Sequence, residues 1–123
     1  TLNIIGGRLN MHNILRSEDM ILGCPFDVLG FALLQCMIAQ RLGVRPGVLT
    51  QSISNAHVYD NHYAGAQEII SRTNEHPKIE LHLPENSFKR AEQKDENLVG
   101  EILADLQAQY NPLPAIGGLD IAL

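Results

Sequence analysis

With 123 residues, 45% of them apolar, the chain is long enough for one compact domain with a core. A charged fraction of 19% and an aromatic fraction of 5% fit a folded globular protein and not a disordered tail. The net charge of −5 argues against a nucleic-acid or anionic-membrane partner, since either needs a dense basic face, but it leaves room for one phosphate on one or two arginines.

Thr1 to Ile5 reads as extended, Gly6-Gly7 as a two-residue turn at positive φ, and Arg8 to Arg16 as the returning strand. Along that strand Leu9, Met11 and Leu15 share one face, and Arg8, Asn10, His12 and Arg16 the other. An opening on half a hairpin, without a start methionine, predicts a fragment, and the first residues do not read as a signal peptide. Ser17 is placed to cap a short helical turn through Leu22 that Gly23 ends. Pro25 suits the first turn of a helix running to Leu42 with Gly43 as its stop. That helix is apolar almost all round, which predicts a central, buried position. Its stretch from Val28 to Ala39 is interrupted by Gln35 and too short to span a bilayer.

Arg45-Pro46-Gly47 reads as a turn, and Val48 to Tyr59 as a long strand whose period puts Asn55, His57 and Tyr59 on one face. Asn61 to Asn74 reads as a helix burying Ala64, Ile69 and Ile70, and Pro77 to Leu83 as a strand. Ser87 to Asn97 is highly charged and reads as a solvated loop or short helix. Residues 101–109 carry good helix formers and yet alternate like a strand, so periodicity leaves both open. Cys24 and Cys36 define neither a disulfide framework nor zinc spacing, and no histidine pairs with a cysteine as metal ligands do. A reducing, cytoplasmic setting follows as the expectation, with one domain over 1–123 and no repeat.

Three blocks carry candidate chemistry: Arg16-Ser17-Glu18-Asp19, then Leu22-Gly23-Cys24-Pro25-Phe26-Asp27, then His57-Val58-Tyr59-Asp60-Asn61-His62. The Arg16 guanidinium can hold a phosphate through two parallel hydrogen bonds, with the Ser17 hydroxyl beside it. His57 and Tyr59, at i and i+2 on a strand, can converge on one hydroxyl. Buried thiols at Cys24 and Cys36 would be poor nucleophiles.

In this order the blocks resemble thymidylate synthase and its relatives, the pyrimidine-nucleotide hydroxymethylases, whose pattern is Arg-Ser-x-Asp, Leu-Gly-x-Pro-Phe-Asn and Asp-x-His-x-Tyr-x-Asn-His. Tyr110-Asn111-Pro112-Leu113-Pro114 resembles the family's Tyr-x-Pro-x-Pro segment, and Ala122-Leu123 its C-terminal end. The resemblance implies an α/β (α+β) fold, a mixed sheet packed on a central buried helix. Residues 1–123 would be the C-terminal part of a single such domain. It also decides for a strand over Leu103 to Tyr110.

Arg16 and Ser17 would then hold the nucleotide 5′-phosphate, Arg16 would assist the catalytic thiolate, and His57 and Tyr59 would hold the sugar 3′-hydroxyl. Asp19, Leu22, Gly23 and Phe26 would line the folate and base pockets. The nucleophilic cysteine would lie upstream of this chain, leaving it inactive alone. The family's cosubstrate is 5,10-methylenetetrahydrofolate, no metal is implied, and its members are homodimers packed sheet on sheet. The thiolate adds to C6 of the pyrimidine, and C5 then accepts the one-carbon unit.

Two departures matter. Ser54-Asn55 replace the usual Gly-Asp before His57, and Asp27 stands where thymidylate synthases have asparagine. An asparagine amide satisfies both the O4 acceptor and the N3–H donor of uracil, whereas a carboxylate accepts from the amino group of cytosine. Aspartate here is associated with enzymes of cytidine nucleotides. The leading expectation is hydroxymethylation of dCMP or CMP. Methylation of dUMP by a thymidylate synthase stands as the alternative, and a non-catalytic nucleotide-binding or dimerisation module as a third reading.

Overall fold

The computed structural model describes residues 1–73 and 75–121. Strands β1 (Leu2–Ile5) and β2 (Arg8–Leu15) form the expected hairpin. Gly6 and Gly7 turn at φ 56° and 71°, which only glycine adopts without strain. A two-residue strand β3 (Glu18–Asp19) leads into α1 (Gly23–Leu42), and β4 (Arg45–Ile53) follows. Next come β5 (Ala56–His57), a 3-10 turn (Asp60–His62), α2 (Tyr63–Ser71), α3 (Ser87–Glu92) and α4 (Asn97–Gln109). The main sheet has the order β1-β2-β4, antiparallel and then parallel, and β3 pairs with β5 in a small parallel sheet.

Helix α1 is the crossover that parallel pairing of β2 with β4 requires. Gly43, at φ 65°, ends it as expected. The buried faces are Leu9 and Met11 of β2 and Gln35, Met37 and Ala39 of α1. The register slips between Leu9 and Met11. Gln35, though polar, is buried there because its amide donates to the Leu9 carbonyl at 2.8 Å and the Val48 carbonyl at 3.2 Å. Away from the sheet, Met37 joins Leu98 and Ile102 of α4, with Leu33, Leu81, Leu83, Phe88 and Leu106 around them.

Several expectations are corrected. Residues 103–109 are helical, not a strand, and Tyr110 follows the helix as its cap: Leu98, Ile102 and Leu106 recur every four residues on the face meeting α1, so the alternation was incidental. Pro77 to Leu83 forms no strand with any of the described residues. Its N–H groups at Glu80 and His82 donate to Gln109 and Asp105 on α4. Arg45-Pro46-Gly47 already belongs to β4, where Pro46 is tolerated because, among the described residues, β4 has β2 alone beside it. The long strand breaks at Ser54-Asn55, where pairing passes from β2 to β3.

No helical turn follows Ser17. Glu18 N–H bonds to the Asn55 carbonyl instead, and Gly23 starts a helix rather than ending one. In α2, Ala64, Ile69 and Ile70 are exposed, and Gly65 is buried under Ile116 and Leu119. Asn74, the expected end of that helix, lies outside the described residues, as do Ala122 and Leu123.

Helix α1 is central, but only its C-terminal half is buried; Phe26, Val28 and Leu29 are exposed. At 20 residues it is long and apolar enough to cross a membrane by length and composition, unlike the shorter Val28 to Ala39 stretch. Docking covers only part of that apolar surface, since Phe26, Val28, Leu29 and Leu34 stay exposed.

Candidate functional site

Parallel strands β2 and β4 end side by side at Leu15 and Ile53, and the β3–β5 bridge continues the chain beyond both. Glu18 N–H bonds the Asn55 carbonyl at 3.0 Å and Met20 N–H the His57 carbonyl at 2.9 Å. The bridge therefore sets the first and third sequence blocks next to each other.

Around it the Ser17 hydroxyl accepts from the Asn55 amide at 3.2 Å and lies 3.4 Å from His57 Nδ1. His57 Nδ1 also lies 3.3 Å from the Asn55 carbonyl, which can only accept, so in the neutral tautomer this contact favours, Nδ1 carries the proton and Nε2 is the acceptor. Tyr59 packs edge-on against the His57 ring, with centroids 5.0 Å apart. Ser17, Asn55, His57 and Tyr59 thus form one cluster even though the strand carrying three of them is broken. Arg16 is exposed beside it and makes no hydrogen bond or ion pair among the described residues.

Asp19 is not in a helical turn. Its Oδ1 accepts from Ile21 N–H at 2.9 Å, closing a local turn that aims the chain into α1. Leu22 and Gly23 are half-buried at that entry, and the Phe26 ring, 77% exposed, presents an open apolar face one turn on. The second Asp19 oxygen makes no hydrogen bond among the described residues. Asp27 is exposed and lies beyond the first turn of α1, so dipole stabilisation does not account for it.

One residue of the site escaped the sequence reading. Glu18 is 3% exposed, and its Oε2 has no partner. Burial pushes its pKa up, the Asp27 and Asp19 charges push it further, and His57 opposes them. Three acidic residues, Glu18, Asp19 and Asp27, bracketing an apolar helix entry were the available signal.

Burial also raises the thiols of both cysteines, aided at Cys24 by the Glu18 and Asp27 charges, so neither is activated. His12 and His62 prove to be partnered: His12 Nε2 lies 2.8 Å from Ser52 Oγ, and His62, fully buried, bonds the Asp120 carbonyl at 2.7 Å. Among the described residues no group of three or more His, Cys, Asp or Glu is placed to hold a metal. A cavity of about 530 Å3 lies elsewhere, lined by Ile69, Arg72, His76 and Tyr110, and includes none of the expected residues. Arg72 there is committed to Glu68 and the Pro114 carbonyl.

A mixed sheet, a long crossover helix and polar side chains gathered where two parallel strands end define an α/β protein with a site at the strands' carboxyl edge. The thymidylate synthase family model matches residues 1–112, and the chain belongs to that family. The family transfers a one-carbon unit to C5 of a pyrimidine nucleotide, with methylenetetrahydrofolate as cosubstrate.

Proposed function

We propose that this chain, as the C-terminal part of a single thymidylate-synthase-like domain over 1–123, serves hydroxymethylation of dCMP or CMP. Arg16 and Ser17 take the 5′-phosphate, the guanidinium through paired hydrogen bonds and the serine through its O–H. His57 Nε2 accepts from the sugar 3′-hydroxyl, beside the Tyr59 hydroxyl. Asp27 reads the base edge and Arg16 assists the thiolate. That thiolate comes from residues outside these 123, since Cys24 and Cys36 are held as thiols. Asp19, Leu22, Gly23 and Phe26 would hold the folate, which supplies the one-carbon unit when bound. The setting is cytoplasmic, and the partner is a second copy.

The observation carrying this reading is Asp27, an exposed carboxylate where the family pattern has an asparagine. Facing uracil, a carboxylate turns an acceptor toward O4; leaving such polar groups unpaired costs about 1–3 kcal/mol. That is a preference on the order of ten- to a hundredfold.

The test supplies the full-length protein with methylenetetrahydrofolate and either dCMP or dUMP, and identifies products by mass. Hydroxymethylated dCMP is expected. Asp27→Asn should move the preference toward dUMP by that same order. Methylated dUMP from the unaltered protein would overturn the base reading in favour of a thymidylate synthase. Silence with dCMP, CMP and dUMP would leave a non-catalytic nucleotide-binding module.

A further inference from the structure

We propose that His62 is a positioning residue for Tyr59: its imidazole, anchored on the Asp120 carbonyl, fixes where the Tyr59 hydroxyl meets the sugar. The inference rests on the reading of Tyr59 as a sugar contact and assigns the residue that holds it there.

The Tyr59 hydroxyl makes no hydrogen bond among the described residues, and the residue is 42% exposed. Its placement therefore depends on what flanks the ring. Two imidazoles do, each edge-on at 87° to the phenol plane: His57 with centroids 5.0 Å away and His62 at 6.0 Å. The first is held by the Asn55 carbonyl and the Ser17 hydroxyl.

The second is held from a distant part of the chain. His62 is fully buried, and its Nε2 lies 2.7 Å from the Asp120 carbonyl, which also accepts from the Asn61 amide at 3.2 Å. A carbonyl only accepts, so Nε2 donates, and in the neutral tautomer this favours, Nδ1 is a bare acceptor, buried without a partner. The segment bearing Asp120 is seated at the start of α2, where a Cβ on Gly65 would lie 2.6 Å from Leu119 Cδ2 and 3.6 Å from Ile116 Cγ2. The His62 N–H also bonds the Tyr59 carbonyl at 2.9 Å, so backbone and ring contacts both join the two residues.

Filling a buried space needs no imidazole. An apolar side chain would fill it without burying an unpaired nitrogen, which costs free energy. What the imidazole adds is a donor at one end and a flat edge at the other, and those two properties tie Tyr59 to Asp120. A displaced Tyr59 hydroxyl weakens its hydrogen bond to the sugar and leaves the phosphate and base contacts as they were. His62 therefore governs affinity for the 3′-hydroxyl.

The full-length protein, titrated by calorimetry with dCMP and dUMP, each against its 2′,3′-dideoxy analogue, tests this, because the ratio of the two affinities isolates the 3′-hydroxyl. Tyr59→Phe should lower that ratio about tenfold. H62Q keeps an N–H for Asp120 but loses the ring edge; it should lower the ratio about fivefold and add nothing in a Tyr59→Phe background. A residue that only stabilised the fold would weaken both nucleotides together. An unchanged ratio in H62Q, or a further drop when H62Q joins Tyr59→Phe, thus overturns the role of His62 while Tyr59 still binds the sugar. A ratio near one in the unaltered protein, or a Tyr59→Phe without effect, overturns the sugar reading and this inference with it. If H62Q fails to fold, nitrogen-15 shifts and ring-to-ring nuclear Overhauser contacts of the unaltered protein decide. A His62 protonated at Nε2 and in contact with the Tyr59 ring is expected; an Nδ1–H tautomer or a missing contact overturns the proposal.

Discussion

A Cβ on Gly47 would stand 2.9 Å from the Leu9 carbonyl oxygen, 3.2 Å from Arg8 Cβ and hard against the Asn10 side chain. None of these can give way cheaply, because Asn10 Oδ1 accepts from Val48 N–H and Leu9 carries the Gln35 amide. Gly47→Ala is expected to cost about 1–3 kcal/mol, read as a lower urea midpoint at unchanged slope; an unmoved midpoint would show that β4 shifts freely. The sequence disclosed this glycine only as a turn residue. The site residues divide in the same way. Ser17, His57 and Tyr59 were legible because short motifs place them on the chain. Glu18 was not, because its burial arises from a bridge to Asn55, far along the sequence, that no local pattern announces.

Among the elements, α3 and α4 are clasped by one arginine. Arg90 binds Asp95 at 2.7 Å and both oxygens of Glu101 at 2.9 and 2.6 Å. Those hydrogen bonds hold both carboxyls below their ordinary range. Groups with lowered folded pKa values stabilise above their unfolded values, and that stability is lost as pH falls through the folded ones. Thermal melts between pH 7 and 3 should therefore show a shallower acid decline in Arg90→Met. Part of the decline should persist, because the His82 N–H lowers Asp105 independently. An unchanged decline would remove the clasp from the acid response. The hairpin and the ends of α1 were readable from glycines and Pro25. The 103–110 strand was misread because Leu98, the first residue of the stripe that defines α4, precedes the alternating run.

For the whole molecule, the outer face of the sheet carries Ile14, 76% exposed, and Val48, 65% exposed, beside the His12–Ser52 pair. A second copy packed sheet on sheet would cover both side chains, which is the dimer proposed above. Ile14→Asp would place like charges across that two-fold contact, and sedimentation at micromolar concentration should shift from dimer toward monomer. A dimer that survives would lie on another face. Sequence periodicity separated the two sides of β2 but could not tell the face covered by α1 from the one left exposed. The β3–β5 bridge, finally, has a consequence in time. Ser17 and His57 are 40 residues apart in sequence, with α1 and β4 between them. Arg16 and Ser17 thus leave the ribosome well before the residues that complete their site, and loop closure across the whole crossover must come first. A nucleotide bound at the proposed site would stabilise the finished fold by mass action, yet it would not template the early chain.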